Sequence, residues 1–297
     1  MQRISVVVPA YNAAATIVPA LRSALAQSRP PDEVIVVDDG SQDGTADLIE
    51  RELPDVKVLR QTNAGPSAAR NTAAQAAQGD WLAFLDADDV WLQEKLALQL
   101  AALSDVPGIG MCSSDWMRSR EKAPPLPPLK ELPRRRITFG DIVRLNRFQT
   151  STVLVRRELW QAVGGFRTAM DGTEDWDFWM RVSQHTDDLH LAWPLVVYRD
   201  EGTSYSKNSR RVYDAMHRML AELGPPDGPI GPQDFRRLIA WHDVRFAYAF
   251  WRLGRKAYLQ WALRHGRQVA SGPVLVDVAL REFLPYLWRR ARRPFGR

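Results

Sequence analysis

Four short apolar runs divide the first third of the chain, and each is stopped by polar or turn-forming residues. They are ISVVVPA at 4–10, DEVIVVDDGS at 32–41, VKVLRQ at 56–61 and WLAFLDAD at 81–88. The first, second and fourth are apolar almost without alternation, which predicts strands buried on both faces. Between and after them lie segments of helical period: ATIVPALRSALAQS, QDGTADLIEREL, GPSAARNTAAQAAQ and VWLQEKLALQLAAL. Thr16 is the expected cap of the first, and Pro66 sits near the start of the third, a favoured place for proline in a helix. Strand and helix in alternation predict an α/β fold, a mostly parallel sheet flanked by helices.

After about Gly110 the rhythm changes. IGMCSSDWM reads as a strand, and SREKAPPLPPLKELPRRR as an exposed proline-rich loop. TSTVLVRRELW reads as a strand entering a helix, and VGGFRTAMDGTEDWDFWMRVSQ as a glycine turn, a loop and a helix. From 206 onward the chain reads as helices broken by GPPDGPIGP and SGP, and FWRLGRKAYLQWALRHG resembles one helical hairpin of the tetratricopeptide kind. The expected division is 1–110, 111–205 and a helical extension at 206–297.

Composition changes this picture in one respect. The chain of 297 residues carries a net charge of +5, but unevenly. From Ser206 onward 18 Lys and Arg stand against 7 Asp and Glu, a net +11; residues 1–205 hold 22 against 28, a net −6. The basic excess belongs to the last part and accompanies no nucleic-acid-binding signature, so no nucleic-acid partner is expected. One cysteine, Cys112, excludes an internal disulfide and a Cys-rich zinc site. The start shows no basic segment followed by a long apolar stretch, so no signal peptide is expected and the predicted location is cytoplasmic.

In an open parallel sheet, ligands bind beyond the carboxyl ends of the strands. There the chain places Pro9, Ala10, Tyr11 and Asn12, then Asp38, Asp39, Gly40 and Ser41, then Asp86, Asp88 and Asp89. Turn chemistry and helix capping account for the first two groups as readily as function does. Three acids within four residues are harder to explain, because a cap needs one. Clustered carboxylates are what hard cations such as Mg²⁺ or Mn²⁺ select. No glycine-rich phosphate loop lies at this edge, so a phosphate-bearing ligand would need a bridging cation.

The stretches VVVPAYNAAATIVPALRSALAQSRPPDEVIVVDDGSQDGT, NAGPSAARNTA and WLAFLDADD together resemble the inverting family 2 glycosyltransferases of GT-A fold, over roughly residues 3–205. The resemblance implies that Pro9, Ala10 and Tyr11 line the nucleotide base pocket. It implies that Asp39, with Asp38 beside it, hydrogen-bonds the base, which favours uracil and hence a UDP-sugar donor. Arg70 would lie beside the diphosphate. Asp86 and Asp88 match the family's D-x-D motif, with Asp88 the direct ligand of Mn²⁺ or Mg²⁺ and Asp86 nearer the ribose or sugar. Asp89 is an extra acid.

A sugar hydroxyl ionises too weakly to attack unaided, so a carboxylate must take its proton. GTEDWDFWMR offers Glu174, Asp175 and Asp177, although acids in a first helical turn also suit the helix dipole. The family's ED pair follows a GGF turn, here Gly164, Gly165 and Phe166, which makes Asp175 the expected base and Glu174 an acceptor contact or alternative base. Trp176 and Trp179 are candidates for a sugar platform. Where relatives carry a histidine after YR and one residue, this chain has Glu201, a departure from the pattern.

The resemblance implies transfer to a glycan or lipid-linked glycan in bacterial-type polysaccharide synthesis. The end of the chain, VLVDVALREFLPYLWRRARRPFGR, is too short and interrupted to span a bilayer but suits an interfacial helix on anionic lipid. A place on the inner face of the plasma membrane follows, with packing on the protein or an oligomer contact as the alternative. Two rival functions stand beside that transfer: a sugar-nucleotide nucleotidyltransferase, against which the first loop has neither glycine nor lysine, and a non-catalytic binder of sugar nucleotides or membrane on the same fold.

Overall fold

The computed structural model describes residues 2–170, 172–199, 209–225, 227–252, 254, 260 and 272–291. Glu201 and most of the 250–266 hairpin lie outside the described residues. The chain divides into two compact units. The first comprises Met1–Ile142, Asn146–Ala169 and Glu174–Gly202, and the second Val143–Leu145, Met170–Thr173 and Thr203–Arg297.

Among the described residues, nine strands of the first unit make one sheet. Strands β1 (Ile4–Ala10), β2 (Glu33–Asp38), β3 (Lys57–Arg60) and β4 (Trp81–Phe84) are parallel, in the order β3-β2-β1-β4. All seven residues of β1 are buried, because helices cover both of its faces. The remaining strands are β5 (Val90–Trp91), β6 (Met111–Arg118), β7 (Arg134–Ile137), β8 (Leu154–Arg156) and β9 (Asp188–Tyr198). Beyond β4 the sheet continues with β8, which runs antiparallel to both β4 and β6. β6 is parallel to β9, and β5 and β7 pair antiparallel with β9.

Helices α1 (Ile17–Leu25), α2 (Thr45–Glu52), α3 (Pro66–Ala76), α4 (Lys95–Ser104), α5 (Phe139–Ile142), α6 (Arg157–Ala162) and α7 (Glu174–Ser183) complete this unit. Ile17, Ala20, Leu21 and Ala24 give α1 its buried stripe at helical spacing. Thr16 makes no side-chain cap bond. The amides that precede α1 are instead held by the neighbouring loop: Ala13 donates to Thr45 Oγ1 at 2.8 Å and Ala14 to Asp43 Oδ2 at 2.9 Å.

Two readings of the sequence require correction. VWLQEKLALQLAAL is not one helix: Val90 and Trp91 pair with β9 as a short strand, and the helix begins at Lys95. The proline-rich segment is exposed over much of its length, but Leu132 is buried and Arg134–Ile137 form β7 on the edge of β9. An edge strand exposes one side of its ladder, where charged residues guard against strand addition, so arginines are compatible with it.

In the second unit, the described helices are α8 (Ser209–Ala221), α9 (Pro232–Arg252), α10 (Gly272–Val278) and α11 (Leu284–Ala291), with a π turn (Ala279–Phe283) joining the last two. Ala240 and Trp241 of α9 pack with Val278 and Phe283 in a small core. No helix among the described residues is long and apolar enough to cross a membrane.

Candidate active site

The loops leaving β1 and β2 are stitched together. Asn12, in the left-handed conformation at φ 48°, receives Gln42 N on its Oδ1 at 2.8 Å, and its own N–H donates to Ser41 Oγ at 2.9 Å. Pro9 and Ala10 are buried within β1, so of the PAYN residues it is Tyr11 that exposes its ring. Asp39 is occupied by the loop that leads into α3. It accepts from Gln61 Nε2 at 2.7 Å, Ala64 N at 2.9 Å and Gly65 N at 2.8 Å. Asp38 is also buried, yet its Oδ1 has no hydrogen-bond partner. Beside Asp39, Asp38 thus carries a buried carboxylate oxygen with no protein donor.

Gly65, at φ 88°, opens α3 one residue before Pro66, and the helix carries Arg70 inward. The Arg70 guanidinium is buried over the Phe166 ring, 5.5 Å from its centroid. Its Nη2 donates to Asp86 Oδ1 at 2.7 Å, while Nε and Nη1 have no partner. Burial alone would lower its pKa, but Asp86, then Glu174 and Asp175, more than offset this and hold the cation charged. Arg70 therefore senses both Asp86 of the D-x-D motif and the ED pair.

Asp86 and Asp88 are partly exposed. Asp89 is not a third open ligand. It is buried, accepts from Ser151 Oγ at 2.6 Å and receives Arg199 N at 3.3 Å, which ties the end of β9 to the segment before β8. Its carboxyl is pushed up to about 8, first by burial and then by the negative charge of Asp86 and Asp88. Ser151 also accepts from Asp86 N at 3.0 Å. Among the described residues no three His, Cys, Asp or Glu side chains form a self-sufficient metal cage. The oxygen-only pair Asp86 and Asp88, in a locally negative field, does fit a Mg²⁺-type or Mn²⁺-type ion. Such an ion takes one or two carboxylates from protein and completes its shell with phosphate oxygens and water.

The ED pair begins α7. Asp175 is half-buried, and its carboxyl is raised to about 6 by burial first and by Glu174 second. Opposing this, Asn146 Nδ2 donates to Asp175 Oδ2 at 2.9 Å and Trp176 N to Oδ1 at 2.6 Å. Asp177 is excluded as a base: it is buried and its Oδ2 accepts from Arg181 Nε at 2.9 Å and Nη2 at 2.7 Å. The sugar platform is also overturned. Trp176 is buried with its Nε1 donating to Ile142 O at 2.7 Å, and Trp179 lies fully buried among Phe84, Phe148, Phe166 and Phe178. Trp176, Phe178 and Trp179 are thus the buried face of α7 itself.

Asn71, next to Arg70, makes a contact the sequence reading missed. Its Nδ2 donates to Phe166 O at 2.7 Å and its Oδ1 accepts Phe166 N at 2.8 Å, pinning the GGF turn to α3. Gly165, at φ 70°, is required here, since a methyl group in its place would lie 2.5 Å from Asn71 Oδ1. Asn71 sits within the AARN motif, so a signal existed. Asn146 and Ser151 carried none.

Comparison with known proteins bears on the whole arrangement. Residues 5–155 match the family described as glycosyl transferase family 2. The Bacillus subtilis (strain 168) protein TuaG, provisionally named a teichuronic acid biosynthesis glycosyltransferase, is 34% identical over 159 residues, 52% of this chain and 62% of that protein. The chain spans about three fifths of the length of the first curated relatives it matches. S. aureus TarS 1-349 in complex with UDP-GlcNAc superposes with a TM-score of 0.70 at 22% identity, covering 97% of this chain and 88% of that one. The mannosyltransferase PcManGT from Pyrobaculum calidifontis, solved with GDP-Man and Mn²⁺, gives 0.61 at 23% identity, covering 98% and 83%. With the sheet, the D-x-D acids and the ED helix as described, the chain belongs to glycosyl transferase family 2 and has the GT-A fold.

Proposed function

We propose that the protein transfers a sugar, with inversion, from a nucleoside diphosphate sugar, a UDP-sugar by first preference, to a hydroxyl of a glycan or lipid-linked glycan in polysaccharide synthesis. The observation that carries this reading is the state of Arg70. A buried guanidinium with two nitrogens lacking any protein acceptor is costly unless a ligand supplies the acceptors. A diphosphate presents oxygens to both. Asp38 Oδ1, the other open buried polar atom at this edge, suits a base N–H, and the exposed Tyr11 ring lies beside it in sequence as a surface for the base.

Asp88, with Asp86, would hold the divalent cation, which when bound supplies positive charge to the leaving diphosphate. Arg70 binds the diphosphate and neutralises charge as the glycosidic bond breaks. Asp175 accepts the proton of the acceptor hydroxyl as its oxygen attacks the anomeric carbon from the face opposite the nucleotide. Asn146 orients the Asp175 carboxylate, and the buried setting keeps its basicity above that of an ordinary aspartate. TuaG and the UDP-GlcNAc complex of TarS favour this donor and this acceptor class.

The test is calorimetric titration of UDP with and without Mn²⁺, on wild type and Asp88→Ala. Metal-dependent binding that disappears in the variant is expected. Equal binding in all four titrations would remove the assignment of Asp88, and GDP binding tighter than UDP would overturn the uracil reading.

A further inference from the structure

The helical stretch from Gly272 to Ala291 has apolar residues on two sides. One side packs: Val278 and Phe283 are buried, with Tyr286 and Leu287 against them, on Ala240 and Trp241 of α9. The other side is in solvent. Val276, Leu280, Leu284 and Trp288, spaced four apart, are 59%, 59%, 52% and 58% exposed. In an α-helix each step of four overshoots a turn by about 40°, so such a series spirals away. The π turn at Ala279–Phe283 takes more residues per turn, and between Leu280 and Leu284 it swings the series back toward one line.

The charge around this stripe is one-sided. Residues 272–297 contain six arginines and two acids, Asp277 and Glu282. Arg237 of α9 takes both acids, with Nη1 at 2.9 Å from Asp277 Oδ2 and Nη2 at 2.5 Å from Glu282 Oε1. Arg281 bridges to Asp277 at 2.8 Å yet stays 81% exposed. The sequence then runs on as RRARRPFGR, directly after Trp288. A second copy of the chain is a poor occupant, since it would bring the same arginine excess to the contact.

We infer that the exposed stripe Val276, Leu280, Leu284 and Trp288, in a stretch whose sequence carries an excess of arginine, docks on an anionic lipid surface. The apolar side chains enter the interface and the guanidinium groups meet lipid phosphates. This stands apart from the transfer reaction and does not rest on it.

The experiment is co-sedimentation of the full chain with vesicles of phosphatidylglycerol and phosphatidylcholine, or of phosphatidylcholine alone. Binding to the anionic vesicles is expected, weakened at 0.5 M salt by screening, on the order of tenfold or more below that at 0.05 M. Leu280→Ser with Leu284→Ser should lower partitioning by about tenfold or more. Both positions are in solvent, so the variant's melting temperature and UDP binding should match wild type. No binding to anionic vesicles would overturn the inference, as would equal binding by the variant. A wild-type dimer in light scattering that the double substitution turns into a monomer would give the stripe to a second copy instead.

Discussion

Removing the Asn146 amide tests how the base is tuned. Asn146 Nδ2 donates to Asp175 Oδ2 at 2.9 Å and so favours the charged carboxylate, against burial and Glu174, which together raise it to about 6. A hydrogen bond to an ionised group contributes roughly 1.5–3 kcal/mol. Asp175 is only half-buried, which places the bond at the low end, so at about 1.4 kcal/mol per pKa unit its loss should raise the carboxyl by about one unit. A general base works deprotonated, so activity falls as pH drops through its pKa. In Asn146→Ala the acid limb of kcat/KM should therefore move from about 6 to about 7. The expected loss is roughly eightfold at pH 5.5 and about twofold at pH 7, with the plateau above about pH 8 nearly kept. Asn146→Asp, which adds a negative charge, should move the limb further. The assay is kcat/KM against pH with metal saturating. A uniform fall with an unmoved limb would make Asn146 merely a loop support, and a wild-type profile with no limb near pH 6 would remove Asp175 as the base.

Three further outcomes are expected. Asp175→Asn should abolish transfer yet stabilise the fold. The folded carboxyl binds its proton more tightly than the unfolded one, so stability falls as pH rises from about 4 to about 6, and the substitution should recover about 1–2 kcal/mol at pH 7.5 in urea melts after discounting for partial exposure. Asn71→Ala loses both bonds to Phe166 and should cost about 2–3 kcal/mol in the same melts, with a lower kcat. Lys95 is fully buried, donates to Gln99 Oε1 at 2.9 Å and lies over the Trp91 ring, and burial lowers its pKa to about 7. Lys95→Met should stabilise by about 1–3 kcal/mol at pH 7, and the gain should shrink as pH rises toward 10.5, where the unfolded lysine also loses its proton.

The parallel half of the sheet was legible because a strand buried on both faces is apolar along most of its length, as β1, β2 and β4 are. Their ends therefore pointed to Asp38, Asp39, Asp86 and Asp88 without any structure. The same rule hid Ser151 and Asn146. These residues precede β8, and β8 runs antiparallel to β4, so its beginning lies at the edge where β4 ends. Lys95 and Gln99 broke the pattern the other way, as polar residues inside α4 that are buried. The tryptophans of α7 were ambiguous in sequence, because helical spacing serves a core as well as a ligand. Burial decides for the core, with the ring contacts of Phe84 and Phe166 on Trp179 and the bond from Trp176 to Ile142 O. Asp38 and Asp39 are adjacent and chemically identical, and only the loop at 61–65, which donates to Asp39, tells their surroundings apart.

The amide of Asn71 spans 95 positions of sequence to hold the turn at Phe166. It sets limits on recombination with relatives. A hybrid that takes residues 150–199 from another family member but keeps 61–71 from this chain would inherit a glycine turn shaped for a different helix. Any side chain at position 165 would then meet Asn71 Oδ1. Exchanges of acceptor preference should therefore carry both segments together, since any single crossover between residues 71 and 166 parts the two halves of the clamp.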